Sequence, residues 1–329
     1  MQPPGFWSNS PQTPGVVARL LAPLGSVYAF TTARRVALQP EIVPDIPVIC
    51  VGNLNAGGTG KTPTVIALAD RLRDVAPHVV SRGYGGRLKG PIQVDPARHT
   101  ALDVGDEPLL LAAFAPTWVS KNRADGVRAA IAAGAGAVIL DDGHQNPTVA
   151  KSLSIVVVDG TVGFGNGLVI PAGPLREPVA TGLSRSDILL IIGNDAAQHR
   201  FDEMWPGIPD LPCIRGTLEP LETGMEWEGL RAMAFAGIAH PEKFFATLRN
   251  LGADLVRAEP LDDHQPLTEG LMRRLELEAA AQTAQLVTTE KDATRLPPAY
   301  RQKVLTLPVR LKIKDAAPLD AALKKIGLS

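Results

Sequence analysis

Eight consecutive residues, Asn55-Ala56-Gly57-Gly58-Thr59-Gly60-Lys61-Thr62, have the composition of a phosphate cradle. Glycines remove the Cβ barrier, so successive backbone N–H groups can turn toward one anion. A helical apolar pattern begins directly after Thr62, and the positive end of that helix would face the same anion. Lys61 adds a point charge, and the Thr62 hydroxyl suits Mg²⁺. The strict phosphate-loop pattern wants glycine five residues before Gly60, where this chain has Asn55. Ala56 occupies the place where the dimeric partition-type ATPases carry a signature lysine. A guanine-reading Asn-Lys-x-Asp is absent, and "TTEKD" at residues 288–292 resembles it only superficially. ATP is the expected nucleotide.

Carboxylates supply the second kind of chemistry. Asp141 and Asp142 follow the buried-strand pattern "AVIL", where an acid would orient Mg²⁺ or its water. Asp159, after "SIVVV", competes for that role, and each of these acids could instead cap a turn. Two adjacent carboxylates favour the first pair, because a cation is needed to offset them. Asp106 and Glu107 precede an apolar helix, and acids there cap it and oppose its dipole. His264, in "DDHQPLT", could partner an aspartate as a base for a hydroxyl. Arg176 and Glu177 end the long loop 163–178; an arginine suits phosphate and a glutamate suits metal, and the bland alternative is a surface ion pair.

The elements that must position these residues are short Val- and Ile-rich runs separated by helices. Strands are expected at residues 46–51, 78–81, 117–120, 137–140, 154–158 and 187–192, with helices at about 63–75, 107–115 and 122–135. That alternation gives βαβ units and a mostly parallel α/β sheet, with ligands at the carboxyl ends of the strands. The glycine loop, Asp141-Asp142 and Asp159 all fall at such ends. A stretch rich in Pro and Gly from Trp205 separates a second strand–helix pattern. The expected organisation is an N-terminal helical segment over residues 1–40, a P-loop core over 41–212, and a smaller C-terminal α/β domain with linker strands over 213–329.

The 329 residues carry a formal net charge of −1, which excludes nucleic-acid binding by bulk charge. Two cysteines make neither a disulfide framework nor a zinc site, so a reducing compartment is expected. Residues 14–40 contain three arginines and no acid. Their apolar run, Leu20 to Phe30, is shorter than the ~20 residues that span a bilayer. Two readings stay open: a helix at the lipid interface, or a core helix packed on the protein.

Taken in order, "GNLNAGGTGKTP", "SRGYGG", "GDEP", "DDGHQ", "GFGNG", "IPAGPLREP", "FAGIAHPEKFF", "DHQPLT" and "TTEKDA" resemble the tetraacyldisaccharide 4'-kinase family over residues 14–315. The resemblance implies a P-loop kinase core joined by two strands to a smaller domain. It implies transfer of the ATP γ-phosphate, with Mg²⁺, to the 4'-hydroxyl of a tetraacylated glucosamine disaccharide 1-phosphate, giving lipid IVA. Work at the cytoplasmic face of the inner membrane is implied too, without an obligate protein partner. Residues carried over are Lys61 and Thr62 for phosphate and Mg²⁺, Asp106 as base with His264 beside it, and Asp141, Asp142, Arg176 and Glu177 around metal and phosphate. The rival from another class is a P-loop regulatory ATPase acting on a protein partner.

Overall fold

The computed structural model describes residues 3–208 and 211–328; Pro209 and Asp210, within the Pro- and Gly-rich stretch, lie outside it. In chain order the strands are β1 (Val48–Gly52), β2 (Pro77–Ser81), β3 (Ile92–Gln93), β4 (Thr117–Val119), β5 (Ala137–Asp141), β6 (Leu153–Asp159), β7 (Ile188–Ile192), β8 (Cys213–Pro220), β9 (Arg231–Ala236), β10 (Asp254–Pro260), β11 (Gln285–Thr289), β12 (Val304–Leu307) and β13 (Val309–Ile313). They form a nine-stranded sheet in the order β13-β8-β7-β6-β1-β5-β2-β4-β3 and a four-stranded sheet in the order β10-β9-β11-β12. The large sheet is parallel except at its two edges, where β3 and β13 run antiparallel to their neighbours. The small sheet is parallel throughout.

Every residue of β1, β2, β5, β6 and β7 is buried. That is why these strands read as continuous apolar runs rather than alternating ones: helices cover both faces of the sheet. On one face, Ile49, Val51, Ile139 and Ile155 pack with Val65 and Leu68 of the helix Lys61–Arg71. On the other, Cys50, Val138 and Leu140 pack with Ala124 and Val127 of the helix Arg123–Ala132. The strand order reverses at β1, which lies between β5 and β6. The chain goes from β1 to β2 on one side and crosses from β5 to β6 on the other, and a crevice opens there at the carboxyl ends of the strands. The glycine loop follows β1 directly into it.

Residues 213–220 and 309–313, assigned from sequence to the C-terminal unit, hydrogen-bond into the large sheet. β8 adds in parallel to β7, and β13 pairs antiparallel with β8. Leu311 of β13 and Leu319 and Leu323 of the helix Ala317–Lys325 join the core under the helix Lys61–Arg71. The small sheet is thus built from the chain between two adjacent strands of the large one.

The N-terminal helix runs from Val16 to Val36. Its 21 residues have a mean hydropathy of 1.3 over an 18-residue window, so by length and composition it is long enough to cross a membrane, although the run Leu20–Phe30 alone is not. Ala18, Gly25 and Thr32, spaced by seven, are its buried residues. A Cβ on Gly25 would come within 2.7 Å of the Val169 carbonyl oxygen, so only glycine allows this approach. The opposite side is not a core face: Leu20 is 75% exposed, and Val16, Leu24, Val27 and Phe30 are exposed with it.

Candidate active site

Gly60 makes the turn from the glycine loop into the helix Lys61–Arg71. Its φ of +96° is one that a side chain strains, and a Cβ would sit 2.6 Å from Ile192 Cδ1. The loop is held from below. Asn53 Nδ2 donates to the Gly57 carbonyl (3.2 Å) and to Thr59 Oγ1 (3.1 Å). Asn55 Nδ2 donates to the Gly163 carbonyl at 3.0 Å, and the Ala56 N–H donates to the Pro174 carbonyl at 2.7 Å. Those groups were expected among the phosphate ligands. The structure uses them to anchor the loop to the segment 163–175. Asparagine at position 55 thereby replaces the glycine of the strict pattern with a tether.

Asp141 ends β5 and accepts a hydrogen bond from Ser81 Oγ at 2.9 Å. Burial, with Glu107 and Asp142 nearby, raises its pKa to about 7. Asp142, at a φ of +53°, turns toward the cradle. Arg176 Nη1 donates to both of its oxygens (2.8 and 3.0 Å), and Lys61 Nζ lies 3.7 Å away. Burial pushes the Asp142 carboxyl up, but Lys61 and Arg176 outweigh it and hold it well below the usual range. Arg123, itself buried, donates to the Asp141 and Asp142 carbonyls and fixes the turn between them.

Glu177, expected near metal, is placed differently. It is 2% exposed, and its oxygens accept from Arg185 Nη2 (2.9 and 2.8 Å) and Gln145 Nε2 (3.0 Å). Three hydrogen bonds on one carboxylate hold the turn after Arg176 in place. Asp159 likewise pairs with Lys243 and accepts the Thr161 N–H at 2.9 Å, linking the large sheet to the helix Pro241–Asn250. Among the described residues no group of three or more His, Cys, Asp or Glu forms a ready metal cage. Mg²⁺ is commonly held by one or two protein oxygens plus phosphates and water. Thr62 and Asp141 fit that demand: burial, with Glu107 and Asp142 nearby, raises Asp141, and a divalent cation would offset both effects on its charged form.

Asp106 and His264, 158 residues apart, meet: His264 Nδ1 lies 2.8 Å from Asp106 Oδ2. Gly105, at a φ of +93°, swings the chain so that Asp106 opens the helix Asp106–Leu111 with its carboxylate inward, where Oδ1 accepts the Glu107 N–H at 2.9 Å. His264 has a φ of +59°, uncommon for a side chain with Cβ, and its N–H donates to the Gly237 carbonyl at 3.2 Å. Arg295 secures that loop through the carbonyls of Gln265 (2.9 Å) and Gly237 (3.0 Å) and a salt bridge to buried Asp292. Burial opposes the charge on Asp106, but the hydrogen bond from His264 and the cations Lys291 and Arg295 win, so its pKa is lowered. The Asp106 hydrogen bond raises that of His264.

Ser81, Arg123, Lys291 and Arg295 belong to this constellation, yet sequence reasoning did not single them out. The motifs "SRGYGG" and "TTEKDA" were the available signal, without a chemistry attached to them.

The profile described as tetraacyldisaccharide-1-P 4'-kinase matches residues 17–327. Tetraacyldisaccharide 4'-kinase of Dinoroseobacter shibae is 65% identical over 326 residues, 98% of this chain and 97% of that one. The enzyme of the same name from a Jannaschia species is 58% identical, with 99% of both chains covered. The crystal structure of LpxK from Aquifex aeolicus in complex with ATP superposes with a TM-score of 0.75 at 25% identity, covering 94% of this chain and 99% of that one. A match along almost the whole chain, in sequence and in fold, places it without remainder: the chain belongs to the tetraacyldisaccharide 4'-kinase family.

Proposed function

We propose that this chain transfers the γ-phosphate of ATP to the 4'-hydroxyl of a tetraacylated glucosamine disaccharide 1-phosphate, forming lipid IVA. The observation that carries the reading is the contact between Asp106, which opens a helix of the large-sheet unit, and His264, from the loop after β10 of the small sheet, beside a phosphate cradle. A regulatory ATPase needs the cradle and the acids but has no use for such a pair.

The backbone N–H groups from Gly57 to Thr62 and the start of the helix Lys61–Arg71 hold the ATP phosphates. Lys61 and Arg176, both beside Asp142, are placed to balance charge on the transferred phosphoryl group. Mg²⁺, held by Thr62 and Asp141, would neutralise phosphate charge when bound. Asp106 takes the proton of the sugar hydroxyl as the oxygen–phosphorus bond forms and the bond to ADP breaks. His264 orients the Asp106 carboxylate. An aspartate with an unperturbed pKa of about 3.9 is a weak base, so its position must do much of the work. In the deciding assay, phosphate transfer from ATP is followed with and without the acylated disaccharide. Product phosphorylated at the 4' position, with ATP turnover dependent on the lipid, is expected; turnover indifferent to it returns the ATPase reading.

The N-terminal helix would supply the lipid contact. Its exposed apolar side and its arginines suit an interface whose headgroups are anionic. Arg34 already stands over the Phe30 ring, 5.4 Å from its centroid. Serine at Leu20, Leu24, Val27 and Phe30 together is expected to weaken flotation with phosphatidylglycerol-containing vesicles about tenfold or more, since each apolar side chain is worth roughly 1.5–3 kcal/mol when fully buried. KM for the lipid should rise more than KM for ATP. Flotation equal to that of the unaltered chain would leave the helix without a membrane role.

A further inference from the structure

Lys291 reaches the Asp106–His264 pair from a third direction. It lies in the helix Glu290–Ala293, whose N-cap, Thr289, ends β11. Its Nζ is 3.4 Å from His264 Nε2 and 3.2 Å from Glu107 Oε1. An ammonium group has only donors. The imidazole nitrogen that meets it must therefore be the acceptor, and the ring proton of a neutral His264 must sit on Nδ1. There it points at Asp106 Oδ2, 2.8 Å away.

We infer that Lys291 is a positioning residue for phosphoryl transfer: it fixes His264 as the neutral Nδ1–H tautomer and so keeps Asp106 available as the proton acceptor. This deepens the reaction proposed above and rests on it. The physical need is visible in the neighbours. Asp106 faces Nδ1, and Asp263 Oδ1 lies 3.8 Å from Nε2. Both carboxylates favour a second proton on the ring, and an imidazolium would bind the Asp106 carboxylate more tightly and weaken it as a base. Lys291 is the cation on the Nε2 side that opposes this. Arg295 Nε, 3.7 Å from Asp106 Oδ2, faces the carboxylate and not the imidazole. The Tyr84 ring lies 5.7 Å from that of His264. Burial acts against the charge on Lys291, and Glu107, Asp106 and Asp263 outweigh it, so the ammonium persists at neutral pH. Glu107 thus holds the lysine that holds the histidine.

The sign of the pH effect follows. His264 gains a proton more readily in the folded protein than free in water, and removing a like charge at this distance raises its pKa further. Activity that needs the neutral ring is lost as pH falls through that pKa. Lys291→Met should therefore move the acid limb of the kcat profile up by about one pH unit. Activity should fall at the alkaline end too, where the tautomer is no longer fixed, but less than at the acid end, with KM for ATP unchanged. Lys291→Arg, which restores the cation, should return most of the shift. A limb that does not move, moves down, or drops equally at every pH overturns the inference. An independent reading comes from ¹⁵N NMR of the unaltered full chain, with the His264 signal assigned by its loss in His264→Gln. The expected result is a protonated Nδ1 and a bare Nε2 at alkaline pH; a protonated Nε2 overturns the inference whatever the kinetics. Failure of the unaltered chain to phosphorylate the disaccharide would instead strike the reaction itself, and the tautomer would still be read.

Discussion

Asp106→Ala is expected to lower kcat by roughly 10²- to 10⁴-fold, the range that general-base help contributes, with little change in KM for ATP. A sugar hydroxyl is a poor nucleophile at neutral pH, and Asp106 is the carboxylate that His264 touches beside the cradle. Asp106→Asn keeps the shape and removes the basic oxygen, so it should lose nearly as much; a folded Asn variant separates lost chemistry from lost packing. His264→Ala should also lower kcat. The double variant should cost less than the product of the two singles, because members of one unit do not act additively. Steady-state kinetics on the four proteins checks this. Fully multiplicative losses would mean that the two residues work independently despite their 2.8 Å contact.

Lys61→Ala should lower turnover about 10²-fold or more, and Thr62→Ala comparably, through lost electrostatic clamping of the transferred phosphoryl group. Lys61 has an additional consequence in this chain. Its ammonium and Arg176 flank the Asp142 carboxylate, so removing it leaves Arg176, with a smaller contribution from Arg123, to hold that acid ionised. ATP affinity by calorimetry, read beside single-turnover rates, distinguishes a lost cradle from a lost clamp. Near-normal turnover in a folded Lys61→Ala protein would remove the phosphate assignment of the loop.

The parallel sheet was legible because its central strands are buried on both faces and must be apolar along their whole length; β1 and β6 show this plainly. The turn from β1 through the glycine loop into a helix was legible because glycine, lysine and threonine at fixed spacing follow a strand. The meeting of Asp106 and His264 was only a hypothesis, since nothing local in either residue specifies a partner 158 positions away. Lys291 was opaque for the same reason: "TTEKDA" reads as a capped helix start, and Thr289 does cap it. The pairing of Glu177 was opaque because Arg185, which meets it, follows across the short helix Val179–Leu183. The N-terminal helix gave no clear periodicity because it is apolar nearly all round; its docking stripe is marked by small size rather than by hydrophobicity. The edge strands β8 and β13 lie far apart in sequence, so their return to the large sheet could not be read from either alone.

That return governs the order in which the molecule can be completed during synthesis. β13 and the helix Ala317–Lys325 lie near the end of the chain, yet Leu311, Leu319, Leu323 and Leu328 finish the apolar layer beneath the phosphate-cradle helix. A nascent chain that has already released the glycine loop still exposes that layer to water, while the segment carrying His264 and Lys291 is being made. N-terminal segments usually fold first on the ribosome, and an uncovered core is prone to aggregate. Here the half that carries the glycine loop cannot be sealed ahead of the half that supplies His264. A protein truncated before β13 lacks both its seal and its edge strand, and leaves β8 as the open edge of the large sheet.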